Sequence, residues 1–300
     1  MFHVKHLQME TLSHCPVCEN DSFTEFLKSK DFFLTGKEFI IVQCKRCGFK
    51  FTNPRPGKDE ISAYYESEDY LSHHTEKNDP ETRVYKWIRK INIRSKYKII
   101  HRYSSGKKLL DIGCGTGEFL AYCRQKGMEI TGIEPGKKAQ EYASGKLRLP
   151  VYDESWLNDQ KYPGFDIITL WHVLEHVHGL MERMKIIKDL LNPGGLVCIA
   201  LPNPGSWDAR HYKEYWAAYD LPRHLYHFDR PSIMKLAEKN ELKVIKIIPI
   251  KWDAYYISLL SGKYMSRKSG FLKAIINGYR SNLSGRGDNM NYSSLIYLLK

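Results

Sequence analysis

A glycine loop set between a short apolar strand and a helix constrains this chain more than any other stretch of it. In Leu109-Leu-Asp-Ile-Gly-Cys-Gly-Thr-Gly-Glu118, the strand covers Lys107 to Ile112 and a helix follows from about Glu118 to Lys126. Strand, glycine turn and helix make the first turn of a doubly wound α/β sheet, and the glycines let a ligand approach the backbone. A second strand, Glu129 to Ile133, ends at Glu134, where a carboxylate can accept the hydrogens of both ribose hydroxyls of a nucleoside. The Gly-x-Gly-x-Gly spacing differs from the Gly-x-Gly-x-x-Gly that seats a pyrophosphate, and Asp111 precedes it. An acid at that point repels a dinucleotide's phosphates and suits a cation.

The run from Leu109 to Glu118 resembles the first motif of the class I S-adenosylmethionine-dependent methyltransferases. The resemblance extends from about Lys107 to the C-terminus. Phe165-Asp-Ile-Ile-Thr-Leu170 is similar to the family's fourth strand, and Leu191-Asn-Pro-Gly-Gly195 to the turn before the fifth. It implies a Rossmann-like doubly wound sheet with helices on both faces, and S-adenosylmethionine as cofactor. By the same resemblance Asp111 helps hold the cofactor's ammonium group, the loop holds its methionine part, and Glu134 in Gly132-Ile-Glu-Pro135 binds the ribose. The residues expected against the cofactor are therefore Asp111, Gly113, Cys114, Gly115, Gly117, Glu134, Pro135 and Trp171. Asp153 and Glu154, after the third strand, are candidates for adenine or else solvated loop residues. Trp171-His-Val-Leu-Glu-His-Val177, with the cysteines described next, is similar to a bacterial branch associated with cell-surface polysaccharide or secondary-metabolite pathways. The cysteine-bearing start also resembles deoxysugar C-methyltransferases, though the additional C-terminal domain of those enzymes is not expected here and their substrate and catalytic assignments are not carried over.

Cys15-Pro-Val-Cys18 and Cys44-Lys-Arg-Cys47 are two Cys-x-x-Cys pairs, a spacing that turns two thiolates toward one tetrahedral ion. Zinc is the expected occupant, in a small zinc-ribbon-like module over residues 1–57 with a short strand at Phe39 to Val42. Four thiolates leave no open coordination position, so its role is structural. The alternative is a pair of unmetallated turns or redox centres. Asn53-Pro-Arg-Pro-Gly57 excludes both helix and central strand and marks a boundary. The other cysteines, Cys114, Cys123 and Cys198, fall in core elements.

A helical bridge or cover over residues 58–106 follows. Ile61 to Tyr70 and Glu81 to Tyr103 read as helices, the second with Val84, Ile88, Ile91 and Ile99 on one face and Lys86, Arg89, Lys90, Arg94 and Lys98 around it. The net charge of +12 calls for an anionic partner, which leaves nucleic acid, an acidic membrane surface and a phosphorylated substrate open. No apolar run is long enough to cross a bilayer and Met1 to Glu10 lack a signal peptide's apolar core, so a cytoplasmic address is expected.

Two histidine clusters could take a proton from a methyl acceptor. His172 and His176 lie four apart beyond the fourth strand and are expected to share a helix face with Glu175 nearby. A metal reading of that pair lacks a third ligand, and helix capping or a cofactor floor is the alternative. Asp220-Leu-Pro-Arg-His-Leu-Tyr-His227 lies in an aromatic segment, Ser206 to Tyr226, too long for a simple connection and read as a substrate lid. There Arg223 could clamp a phosphate or carboxylate and His224 or His227 act as base. Otherwise Trp207, Tyr215, Trp216 and Tyr219 pack and the histidines precede a helix introduced by Asp229 and Pro231. Leu242 to Ile250 and Ser293 to Leu299 are expected as an antiparallel edge. Between them, Tyr255 to Leu260 and Gly270 to Tyr279 are apolar helices carrying Lys263, Arg267, Lys268 and Lys273, read as a folded cap or a peripheral membrane contact. The methyltransferase domain would then be residues 107–300, with lid insertions at about 203–230 and 251–290.

The function expected is methyl transfer to an oxygen or carbon of a small-molecule or glycan-type acceptor, phosphorylated or lipid-linked. The alternatives are an RNA methyltransferase and a non-catalytic nucleoside-binding protein. The segment after the fourth strand lacks the Asn/Asp-Pro-Pro-aromatic signature associated with many base-amino methylating enzymes, which leaves RNA O- and C-methylation open. A nicotinamide enzyme is disfavoured by the glycine spacing and Asp111. Sequence leaves the oligomeric state open.

Overall fold

The computed structural model describes residues 8–65, 80–158, 164–266, 270–287 and 290–300. The N-terminal part contributes β1 (Met9–Glu10), β2 (Phe23–Lys30), β3 (Glu38–Cys44), β4 (Lys50–Thr52) and β5 (Arg55–Pro56). β5 pairs only with β1, a peripheral place that suits its proline. A single 3₁₀ turn, Ile61–Tyr64, stands where a helix to Tyr70 was expected; residues 66–70 of that expectation lie outside the described ones.

Helix α1 (Pro80–Tyr103) leads to β6 (Lys108–Ile112), α2 (Glu118–Gln125), β7 (Glu129–Ile133), α3 (Lys137–Glu141), β8 (Val151–Tyr152) and β9 (Phe165–Trp171). Then come α4 (Leu180–Leu190), β10 (Leu191–Pro202), α5 (Trp207–Tyr212), β11 (Tyr226–His227), α6 (Arg230–Lys239), β12 (Val244–Pro249), α7 (Asp253–Met265), α8 (Phe271–Ser284) and β13 (Ser294–Leu299). Seven strands form one sheet in the order β12-β13-β10-β9-β6-β7-β8, with β13 antiparallel to both its neighbours as the edge pattern required. The glycine turn expected at Leu191–Gly195 is the irregular first part of β10, where the pairing with β9 shifts register and Gly194 stands at φ 75°.

Alternation along the strands buries both faces of this sheet. Leu109, Ile167, Leu196, Cys198 and Leu298 pack with Ile100 of α1 and Phe119, Leu120 and Cys123 of α2. Leu110, Ile168, Val197, Ile199 and Tyr297 pack with Met184 and Ile187 of α4 and Ile233 and Leu236 of α6. A doubly wound sheet with helices on both faces is thus present. On α1 the fully buried residue is Ile100, and Ile93, Tyr97 and Ile99 pack beside it, so the apolar face is rotated from the expected one; the side chains of Val84 and Ile88 lie outside the described residues.

A second sheet has the order β11-β4-β3-β2, so its last strand comes from far along the chain. Tyr226 pairs with Phe51 and His227 with Lys50. One face of β3, Phe39 and Ile41, packs on Tyr64, Tyr212, Trp216 and Tyr219. The aromatic segment 206–226 is folded down by buried polar bonds. Asp208 Oδ2 accepts from Trp216 Nε1 at 2.9 Å and Ser293 Oγ at 2.5 Å, and Oδ1 from Ser281 Oγ at 2.8 Å.

Arg223 joins these parts. Its guanidinium, 1% exposed, donates to Asp31 Oδ1 at 3.0 Å, to Asp220 Oδ1 at 2.6 Å and to the Tyr64 carbonyl at 3.2 Å. Breaking a buried ion pair by removing one partner leaves an uncompensated charge, which costs ~3–5 kcal/mol. Arg223→Leu is expected to lower unfolding free energy by that order in a urea titration, and adding Asp31→Leu to restore part of it. An unchanged midpoint for Arg223→Leu would show that the network adds no stability.

Candidate functional site

The chain reverses its direction of sheet growth between β6 and β9, and the crevice at the carboxyl ends of these strands is where open α/β sheets take ligands. Gly113 stands at φ 71°, and a Cβ there would lie 2.4 Å from Val173 Cγ2, so the loop packs directly on the segment after β9. Gly115 stands at φ 56°, and nothing lies within 4 Å of where its Cβ would be. The tip of the loop therefore faces open space.

Asp111, at the end of β6, is 1% exposed and accepts from Thr169 Oγ1 at 2.6 Å. Burial pushes its carboxyl up to about 7, against the Thr169 bond and the charge of Lys96 and with the charge of Glu134. Glu134 follows β7, with Oε2 accepting from the Gly115 amide and Oε1 from the Gly136 amide, both at 2.8 Å. Burial raises its pKa too, against those two bonds. Cys114 turns its sulfur toward Gly132, and burial pushes its thiol up. Trp171 packs edge-on against Phe119, Lys96 stands 4.6 Å from its ring centroid, and its buried Nε1 has no hydrogen-bond acceptor. Pro135 is exposed. Asp153 accepts from Ser155 N at 2.8 Å, and Glu154 pairs with Arg183.

These features fit a nucleoside carrying a positive charge. A buried carboxylate without a full counter-charge favours a cation, the loop tip is open, and a second carboxylate, Glu134, stands beside the tip with its oxygens on the Gly115 and Gly136 amides. Lys96 over Trp171 was not singled out in the sequence, where it reads as one more lysine of a basic helix.

Beyond β9 the expected shared helix face of His172 and His176 is not formed. His172 takes φ 59° and only a single 3₁₀ turn, Leu174–His176, follows. The Val173 contact with the glycine loop holds the segment away from helical geometry. His172 Nε2 lies 3.2 Å from Asp253 Oδ2 and Nδ1 lies 3.5 Å from Glu175 Oε1. Burial opposes its charge, but Asp253 and Glu175 outweigh that and bring the imidazole to about 9. His176 Nδ1 lies 2.9 Å from Tyr65 Oη and 3.0 Å from the Arg223 carbonyl, and burial with the nearby His224 pushes it down to about 4.

His224 and His176 meet ring to ring at 4.6 Å. The remaining two expected side chains are engaged elsewhere. The carboxylates that Arg223 clamps are the chain's own, Asp31 and Asp220. His227 is buried in β11 with Nε2 3.1 Å from Thr52 Oγ1, and burial pushes its pKa well down. Glu175 belongs to the cluster expected there, whereas Asp253, which also meets His172, was not singled out in the sequence.

The four N-terminal cysteines converge. Cys15 Sγ lies 3.6 Å from Cys47 Sγ and Cys18 Sγ 3.5 Å from Cys44 Sγ, and all four sulfurs fall within 4.8 Å of one another. Bonds of ~2.3 Å from one tetrahedral zinc would set sulfurs about 3.8 Å apart. The donor set therefore fits a thiophilic tetrahedral ion. Burial opposes ionisation of Cys44, but the amides of Cys47 and Arg46 outweigh it and bring the thiol to about 7.

A family described as a methyltransferase domain matches residues 83–247, more than half of the 300-residue chain. The protein belongs to this methyltransferase family. It is a class I S-adenosylmethionine-dependent methyltransferase, as the glycine loop led one to expect. A ubiquinone biosynthesis O-methyltransferase of Nitrosospira multiformis is 28% identical over 189 residues, covering 58% of this chain and 79% of that protein. The enzyme of the same name in Proteus mirabilis is 33% identical over 105 residues, covering 33% of this chain and 43% of that protein. For that relative, the match spans under half its length. Among solved structures, a magnesium protoporphyrin IX methyltransferase from Synechocystis PCC 6803 with bound SAH aligns with a TM-score of 0.52 at 12% identity, over 81% of this chain and 99% of that one. A SAM-dependent methyltransferase from Archaeoglobus fulgidus aligns with a TM-score of 0.50 at 19% identity, over 71% and 94%. At such identities both bear on the fold alone. Among the described residues no helix is long and apolar enough to cross a membrane.

Proposed function

We propose that this methyltransferase moves the methyl group to an oxygen of a small-molecule acceptor held beneath residues 203–230 and 251–290. What supports this is the open tip of the glycine loop at Gly115, the buried Asp111 beside it, and the turn after β9, which packs on Gly113 through Val173 and is tied to Leu225 by the Glu175 carbonyl. The oxygen acceptor is supported by the names of the curated relatives. Bound S-adenosylmethionine supplies a methyl group on a cationic sulfonium. The chain's part is to hold that cation and align the acceptor for in-line displacement.

In this reading Asp111 meets the cofactor's positive charge, Glu134 turns from the loop amides to the ribose hydroxyls, and Gly113, Cys114, Gly115 and Gly117 line the methionine part. Pro135 and Trp171 border the pocket, and Asp153 and Glu154 stand toward adenine. His172, His176 and His224 are the imidazoles at the acceptor's side. A lipid-linked acceptor, or contact with a membrane surface, is supported by α8, where Phe271 is 69% and Leu272 71% exposed beside exposed Ile275, Ile276 and Tyr279. A glycan-type or phosphorylated acceptor is supported by the net positive charge alone.

The direct test incubates the protein with methyl-labelled S-adenosylmethionine and a panel of phenols, lipid-linked hydroxyls, glycans and RNA. Label is expected on a small-molecule oxygen and absent with Gly115→Arg, which fills the loop tip. Label on RNA alone would overturn the acceptor reading.

Cofactor affinity should depend on pH. A cation favours ionised Asp111, so below about pH 7 binding must release a proton, and affinity should fall about tenfold per pH unit there. Asp111→Asn is expected to bind weakly at all pH values and to flatten the profile. A parent profile flat between pH 5.5 and 8, values chosen on the order of one unit either side of 7, would remove Asp111 from the cation's environment.

The four cysteines are read as a structural zinc site. Refolding with cobalt in place of zinc is expected to give intense thiolate-to-metal absorption, lost with Cys18→Ser/Cys44→Ser. Weak d–d bands alone would mean the thiolates do not hold the ion.

A further inference from the structure

Between the turn after β9 and the lid, three groups that accept protons or metals face one another without a donor among them. Glu175 is 1% exposed; His172 Nδ1 stands 3.5 Å from its Oε1 as an ion pair, and neither carboxylate oxygen has a hydrogen bond of good geometry. One ligating atom each of Glu175, His176 and His224 lies within 4.8 Å of the other two. The ring tautomers follow from their other contacts. His224 Nδ1 lies 2.9 Å from the Ala218 carbonyl and His176 Nδ1 3.0 Å from the Arg223 carbonyl. A carbonyl only accepts, so each Nδ1 carries the hydrogen and each Nε2 a lone pair.

That is the arrangement by which protein histidines hold a metal: one nitrogen bound to the ion, the other donating to a backbone carbonyl that fixes the ring. His172 offsets the Glu175 charge only in part, since it is shared with Asp253 at 3.2 Å, and the side of the carboxylate that faces the two lone pairs has no cation of its own. We propose that Glu175, His176 and His224 bind one divalent transition-metal cation. Two imidazoles and one carboxylate suit manganese, iron, cobalt or zinc better than magnesium or calcium. Three protein ligands leave coordination positions open for an oxygen donor.

The cation's place follows from two contacts. Val173 packs on Gly113 of the cofactor loop, and the Leu225 amide donates to the Glu175 carbonyl at 2.8 Å, tying the lid to the same turn. The open positions therefore lie between the cofactor loop and the lid, where an acceptor hydroxyl would be held. The last step rests on the methyl-transfer reading; the cation site does not. His172, bridging Asp253 and Glu175, is then a positioning residue for the carboxylate.

The test titrates full-length protein holding one zinc ion per chain, the complement of the four cysteines alone, with manganese(II), which thiolates bind poorly, by calorimetry and electron paramagnetic resonance. One saturable site per chain is expected, with spin-echo modulation from two imidazole nitrogens. Glu175→Gln and His224→Ala are expected to weaken it by on the order of a hundredfold. S-adenosylhomocysteine binding in the same parent preparation reports on the methyltransferase reading separately. The absence of saturable manganese binding, or binding without nitrogen modulation, would overturn the proposal even if the variants fail to fold. So would full retention of binding by a folded Glu175→Gln.

Discussion

One buried guanidinium organises the active side of this molecule. Arg223 is enclosed by Asp31 from the turn between β2 and β3, by Asp220 from the lid and by the carbonyl of Tyr64, while its own carbonyl receives Nδ1–H of His176. Burying a guanidinium is expensive, and the two carboxylates offset that only if all three segments arrive together. The N-terminal sheet, the lid and the turn after β9 are therefore fixed as a unit, and the imidazoles inherit their positions from it. The β4–β11 pairing adds a backbone link between the same parts.

The cofactor side depends on a different constraint. A parallel sheet with both faces buried leaves only its strand ends for ligands, and at the switch between β6 and β9 the glycine loop is the one short path into α2. Val173 forces Gly113 to lack a side chain, which brings the turn bearing Glu175 and His176 against the glycine loop. The turn and the glycine loop are thus adjacent because one valine side chain packs on one glycine, and under the proposed function this sets the acceptor beside the cofactor.

What could be read in the sequence was what is local. Strand β6, helix α2 and Glu134 after β7 follow from periodicity and a glycine turn within a few tens of residues, and β7 is found at the limits expected for it. The antiparallel edge of β12 and β13 was legible for the same reason, and the four cysteines through their paired spacing. What failed to show depends on contacts distant in sequence. Arg223 reads as a ligand clamp until Asp31, 192 residues earlier, is seen to occupy it. His172 and His176 have helical spacing, yet Val173 and the left-handed His172 break that register. The face of α1 is rotated because Ile100 is the residue fully buried against the sheet, with Ile93, Tyr97 and Ile99 beside it, and Lys96 reaches Trp171.

The central claim is that the glycine loop, with Asp111 at its base, binds a cationic nucleoside and not a dinucleotide. Calorimetric titration of the metal-replete protein with S-adenosylmethionine, S-adenosylhomocysteine and NAD tests it most directly. The account predicts saturable binding of the first two and none of NAD. Binding of NAD alone would contradict it, and silence from all three would leave the crevice without the ligand on which the account depends.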